Sequence, residues 1–143
     1  MIRHILAGFD GSESSRKAAR FAHDLAEQTG AKVTLLYVLE PPRFLPIGPL
    51  DGFIATGTMP GKEEIDQVHQ MLQKVAADLP KAQVEEMVQV GRPDHVIVEQ
   101  AKALGVDLIV VGARGLSAGG RFLVGSISDR VVHEAGIPVT VVH

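Results

Sequence analysis

The sequence contains no cysteine, no tryptophan and a single tyrosine. Without cysteine, a disulfide framework, a thiolate zinc site, an iron–sulfur cluster and a cysteine nucleophile are excluded together. With a single tyrosine and no tryptophan, the chain is poor in the aromatic platforms on which single-stranded nucleic acid usually stacks. The formal charge of −3, from 14 basic and 17 acidic residues, gives no electrostatic reason to follow a polyanionic backbone, so nucleic acid is not an expected partner. No apolar run approaches the roughly 20 residues of a transmembrane helix, so no membrane partner is expected either. The first strand-like segment, His4–Phe9, starts almost at Met1 and leaves no room for an export signal. A reducing, cytoplasmic setting is the expectation.

What is present is an alternation. At 143 residues the chain is the size of one domain, 1–143, with one core. Runs of β-branched and aliphatic residues alternate with longer segments of helical period, the pattern of parallel strands joined by crossover helices. The strand candidates are His4–Phe9, Val33–Val38, Val84–Val90, Leu108–Gly112 and Pro138–Val142, with apolar runs that suggest burial on both faces. The spacing predicts a first helix over Glu13–Thr29, with Ala18, Ala22, Leu25 and Ala26 inward and Gly30 as its stop. Ile65, Val68, Leu72, Val75 and Leu79 mark a second helix that ends before Pro80. Pro93 opens a third, with Ile97, Ala101 and Leu104 inward, and a fourth covers Ser126–Ala135 with Val131 and Val132 inward. Leu39–Gly61 holds five prolines and four glycines, too many for a regular element. It is expected to be a long loop whose Phe44, Leu45, Ile47, Leu50, Phe53 and Ile54 fold back on the body, as a lid or contact surface or as a packed insertion without function.

In an open parallel sheet, ligands bind beyond the carboxyl ends of the strands where the winding reverses. Two segments there stand out: Gly8-Phe9-Asp10-Gly11-Ser12 after the first strand, and the glycine-rich stretch from Gly112 to Ser126 after the fourth. The second delivers Gly125-Ser126 to a helix start, where unpaired amides and the helix dipole favour a phosphate. Ser126 adds a hydroxyl donor, and Arg114 or Arg121 a positive charge nearby. From spacing alone two readings remain open: a phosphate cradle, or glycines that only make turns with a serine that only caps its helix.

The spacing Gly112, two residues, Gly115, nine residues, Gly125-Ser126 resembles the signature of the ATP-binding branch of the universal stress protein family. The flanking text is similar to that family too: Ile5-Leu6 through Asp10-Gly11-Ser12, Gly91-Arg92-Pro93, Asp107 through Gly112, and Pro138-Val139. The resemblance implies an α/β fold with a five-stranded parallel sheet in the order 3-2-1-4-5 and helices on both faces. It implies ATP, with Mg2+, held between the first and fourth strands, and a homodimer formed through the C-terminal strand Pro138–Val142. By position, Asp10 is expected on the ribose, the Val38 backbone on the adenine, and Gly112, Gly115, Gly125 and Ser126 on the phosphates; Phe9, Arg114, Ile127 and Ser128 complete the expected site. For Asp10 a turn or helix-cap acid, and for Val38 a mere core residue, are the competing roles. The function implied is a nucleotide-dependent stress-response sensor or interaction module read by an unidentified protein partner. The alternatives are a slow ATP-hydrolysing or phosphate-transferring enzyme, and a family member that binds no nucleotide.

Three other patterns carry less. Gly115-Leu116-Ser117-Ala118-Gly119 is a literal G-x-S-x-G, with Asp129 and His133 following in hydrolase order. Asp129 and His133 lie one turn apart on one expected helix, whereas a triad assembles its acid and base around the serine, so no catalytic residue is assigned. Gly61-Lys62 is followed by Glu63 in place of the Ser or Thr of a P-loop. The six histidines have no metal-ligand spacing, and no metal site of the protein's own is expected.

Overall fold

The computed structural model describes residues 1–49, 52–79, 82–113 and 125–143. In chain order the elements are β1 (His4–Gly8), α1 (Glu13–Thr29), β2 (Lys32–Leu39), β3 (Arg43–Pro46), β4 (Phe53–Thr56), α2 (Lys62–Ala77), β5 (Gln83–Val90), α3 (Pro93–Leu104), β6 (Leu108–Gly112), α4 (Ser126–Glu134) and β7 (Val139–Val142). Five strands form a parallel sheet in the order β5-β2-β1-β6-β7. With β3 and β4 set aside, this is the expected 3-2-1-4-5 order, and the winding reverses between β1 and β6.

The strand period of two divides the core into two layers. Ile5, Ala7, Leu35 and Val110 turn to one face, against Ala18, Ala22 and Ala26 of α1 and Val68 and Leu72 of α2. Leu6, Leu36, Ile109 and Val111 turn to the other, against Val96, Ile97 and Ala101 of α3 and Val131 of α4. The alanine stripe lets α1 approach the sheet closely. Gly30 and Gly105 end α1 and α3 in the left-handed conformation, at φ 73° and 61°, where a Cβ would be strained.

Three expectations are corrected. The segment Leu39–Gly61 is not a loop throughout: β3 and β4 pair antiparallel, with Phe44 opposite Ala55 and Leu45 opposite Ile54. Nor does it bury its apolar residues on the body, since Phe44 and Phe53 are 66% and 70% exposed; Leu50 lies outside the described residues. Val132 points outward while Val131 is fully buried, because neighbouring helical positions are about 100° apart. The outer strands β5 and β7 are only partly covered, as edge strands are, whereas β1, β2 and β6 have buried interiors.

Candidate functional site

The carboxyl ends of β1, β2 and β6 and the start of α4 meet at the reversal point. Local chemistry sets the β1 end. Asp10 Oδ1 accepts the Ser12 N–H at 2.9 Å, and Ser12 Oγ accepts the Ser15 N–H at 3.2 Å. These two bonds form the turn and the cap that start α1. Asp10 therefore does fill the turn role, with one carboxylate oxygen committed to it. Phe9 is buried in the core at 3% exposure, and the Arg16 guanidinium lies 5.9 Å from its ring centroid.

Val38 has an open edge. In a parallel ladder, alternate residues of a strand direct both backbone groups to the same neighbour. The Leu36 carbonyl accepts the Phe9 N–H on the β1 side at 2.9 Å, and the Leu39 carbonyl accepts the Gly91 N–H on the β5 side at 2.9 Å. The Val38 N–H and C=O therefore turn toward β1, which has already ended at Gly8 opposite Leu36.

Across the reversal, β6 and α4 are tied together. The Gly125 N–H donates to the Ala113 carbonyl at 2.6 Å, and the Ala113 N–H donates to the Val142 carbonyl at 2.7 Å. A Cβ on Gly125 would stand 2.9 Å from that Ala113 oxygen. On Gly112 it would stand 2.6 Å from Ser14 Oγ. Both glycines are thus required by close approach of the protein's own backbone. Ser126 is exposed at the first position of α4, and no side-chain hydrogen bond caps that helix. Ser128 is buried and its hydroxyl donates to the Gly125 carbonyl at 2.9 Å, while Ile127 packs on the α3–α4 side of the core. Arg114, Gly115, Ser117 and Arg121 lie outside the described residues. Asp129 and His133 sit on the exposed side of α4, with the His133 Nδ1 2.7 Å from the Asp129 carbonyl.

A cavity of about 400 Å³ adjoins this region, lined by Ser12, Glu13, Ser14, Lys17, Ala113 and His143. None of Asp10, Val38, Gly125 or Ser126 lines it, and the Lys17 ammonium is 3.6 Å from Glu13.

Two contributors escaped sequence reasoning. Asp94, 3% exposed in the first turn of α3, receives Arg92 at 2.8 and 3.1 Å and Arg130 of α4 at 3.4 Å. The Arg92 hydrogen bonds, aided by Arg130 and opposed by burial, lower its carboxyl to about 2. This linkage ties α4 to α3 through Arg130. An acid just after Pro93 is a visible first-turn signal, but its pairing with Arg130 is tertiary and has none. Tyr37 is the second: burial, then the Asp10 and Glu64 carboxylates, raise its phenol above the ordinary 10.

The model of the universal stress protein family matches residues 1–143. A putative universal stress protein of Staphylococcus haemolyticus is 32% identical over 141 residues, covering 98% of this chain and 84% of the relative. One from Thermus aquaticus is 31% identical over 143 residues, covering 99% of each. Among solved structures, a universal stress protein in complex with cAMP is 27% identical, with a TM-score of 0.73 and coverage of 99% of this chain and 97% of that one. The chain belongs to the universal stress protein family.

Proposed function

We propose that the protein binds ATP, with Mg2+, in the crevice between β1 and β6, and works in the cytoplasm as a nucleotide-dependent stress-response sensor or interaction module. One observation carries this reading: two sets of backbone groups lacking a secondary-structure partner face the same reversal point. On one side are the Val38 N–H and C=O beyond the end of β1, suited to the edge of an adenine. On the other are the first-turn amides of α4 from Ser126, suited by position and dipole to phosphate oxygens. Asp10 retains a second carboxylate oxygen for a ribose hydroxyl. Arg114 and Gly115 belong to the proposed phosphate side by their place in the glycine spacing. The structural relative solved with cAMP supports an adenine nucleotide as the ligand class. In the proposed dimer the outer edge of β7 pairs with a second copy across a twofold, and a protein partner reads the liganded state.

Ligand can bias such a module only by binding one arrangement more tightly than another. Calorimetric titration with ATP, ADP, AMP and cAMP, with and without Mg2+, tests the reading. Saturable binding of ATP weakened by Asp10→Ala and Ser126→Ala is expected. Heats that stay at the dilution level for all four nucleotides would remove the proposal.

A further inference from the structure

The β3–β4 hairpin is the least economical part of the fold. A lone two-stranded ribbon is marginally stable in water, and this one turns apolar side chains outward from both faces. Phe44, Leu45, Ile47, Phe53, Ile54 and Met59 are 66, 54, 49, 70, 54 and 63% exposed. We infer that the β4 edge is an interface that pairs antiparallel with β4 of a second copy of this chain.

The register selects that partner. The Ile47 N–H donates to the Gly52 carbonyl at 2.8 Å, which makes that pair hydrogen-bonded. By alternation Leu45–Ile54 is bonded too, while the backbone groups of Phe44, Pro46, Phe53 and Ala55 point away from the ribbon. On the β3 edge Pro46 has no N–H to offer. On the β4 edge Phe53 and Ala55 present both donors and both acceptors, with neither a charge nor a proline to discourage pairing.

A twofold through Ile54 makes this edge complementary to itself. Phe53 then exchanges two hydrogen bonds with the partner's Ala55, Ala55 exchanges two with the partner's Phe53, and Ile54 faces the partner's Ile54 in the close non-bonded pair. One face gains a continuous row of Leu45, Ile54 and the partner's Ile54 and Leu45. The other sets the large Phe53 beside the small Ala55 of the partner subunit.

Area and charge agree with a second copy. At the stated exposures the six side chains present roughly 600 Å² of apolar surface per copy, the upper end of what a monomer usually leaves open. Between residues 44 and 61 the only charged residue is Asp51, and Arg43 is paired with Glu40, so no basic fringe suits an anionic lipid surface.

The full chain, free of native cysteine, allows a direct test. Ile54→Cys places two thiols across the twofold at a Cα separation of about 4.5 Å, within disulfide range, while Thr56→Cys places them beyond about 10 Å. Mild oxidation is expected to cross-link Ile54→Cys roughly ten-fold faster or more than Thr56→Cys. Ala55→Pro removes only an outward N–H, so the hairpin's own ladder survives. In sedimentation velocity it is expected to lose one association step that wild type shows, independently of pairing at β7. Equal oxidation rates, a monomeric wild type, or wild-type sedimentation of Ala55→Pro would overturn the inference. So would flotation of wild type with phosphatidylglycerol vesicles, abolished by Ile54→Lys and unaccompanied by cross-linking, which would make a membrane the occupant.

Discussion

A Cβ on Gly112 would stand 2.6 Å from the Ser14 hydroxyl oxygen and 2.7 Å from the Ser14 carbonyl carbon. The first turn of α1 presses directly on the end of β6, at a distance only a bare backbone allows. Gly112 is therefore a packing glycine in its own right.

Gly112→Ala is accordingly expected to destabilise the fold by about 1–3 kcal/mol, since backbone must shift to admit the methyl. Denaturant unfolding measures this. The exposed Ser126, by contrast, should tolerate alanine within about 0.5 kcal/mol. Its loss is expected to weaken ATP binding by about three- to ten-fold in calorimetry, the value of one hydrogen bond. If Gly112→Ala unfolds like wild type, the close approach to α1 is not the constraint it is taken to be.

Much of this fold is legible in the sequence because local and tertiary demands coincide. Leu108-Ile109-Val110-Val111 reads as a doubly covered strand and is one, since β6 lies inside the sheet. Gly30 reads as a helix stop and adopts the left-handed conformation that makes it so. The hairpin is not legible from proline and glycine content, which carries no register: Pro46 points its missing N–H away from β4, so no ladder bond is lost. The tertiary causes of close packing around the candidate site were not legible. Nothing in the text near Gly112 names Ser14, which comes from another element, and nothing near Asp94 names Arg130.

Asp94 predicts a feature of the acid limb. Its carboxyl titrates at about 2 in the folded protein against an ordinary 3.8. A lowered carboxyl stabilises the fold above the ordinary value, and the contribution is lost as pH falls from about 4 to about 2. The shift corresponds to roughly 2–3 kcal/mol at most, reduced by solvent screening of the exposed guanidiniums. Asp94→Asn is expected to be less stable at pH 7 and to lack that part of the acid loss. Parallel stability curves for the two proteins between pH 4 and 2 would contradict the assignment.

His4 acts at higher pH. It is buried at the start of β1 with Nε2 2.8 Å from Thr34 Oγ1; burial and Lys32 lower its pKa below the ordinary 6.5, against the opposing Glu85 and Asp107 carboxylates. Folded protein then resists the proton that unfolded chain accepts. Stability is full above 6.5 and declines as pH falls below it. Urea midpoints for wild type are expected to drop between pH 7 and 5 more than those of His4→Gln. The same drop in both would place the effect elsewhere.

Tyr37 offers the most direct probe of the site, because all tyrosinate absorbance and, without tryptophan, all indole-free fluorescence from tyrosine come from this one residue. Burial is the largest cause of its raised pKa, followed by Asp10 and then Glu64. An alkaline absorbance titration is expected to show a midpoint above 10. Asp10→Asn should bring it down without reaching the ordinary value, since burial remains. Because the raised value belongs to the folded state, Tyr37 favours folding below pH 10 and that contribution fades as pH rises beyond it. A nucleotide held at Asp10 adds phosphate charge nearby, so saturating ATP should move the midpoint further up. A wild-type midpoint at 10 that ignores both Asp10→Asn and ATP would separate Tyr37 from Asp10 and weaken the case that this rim holds the ligand.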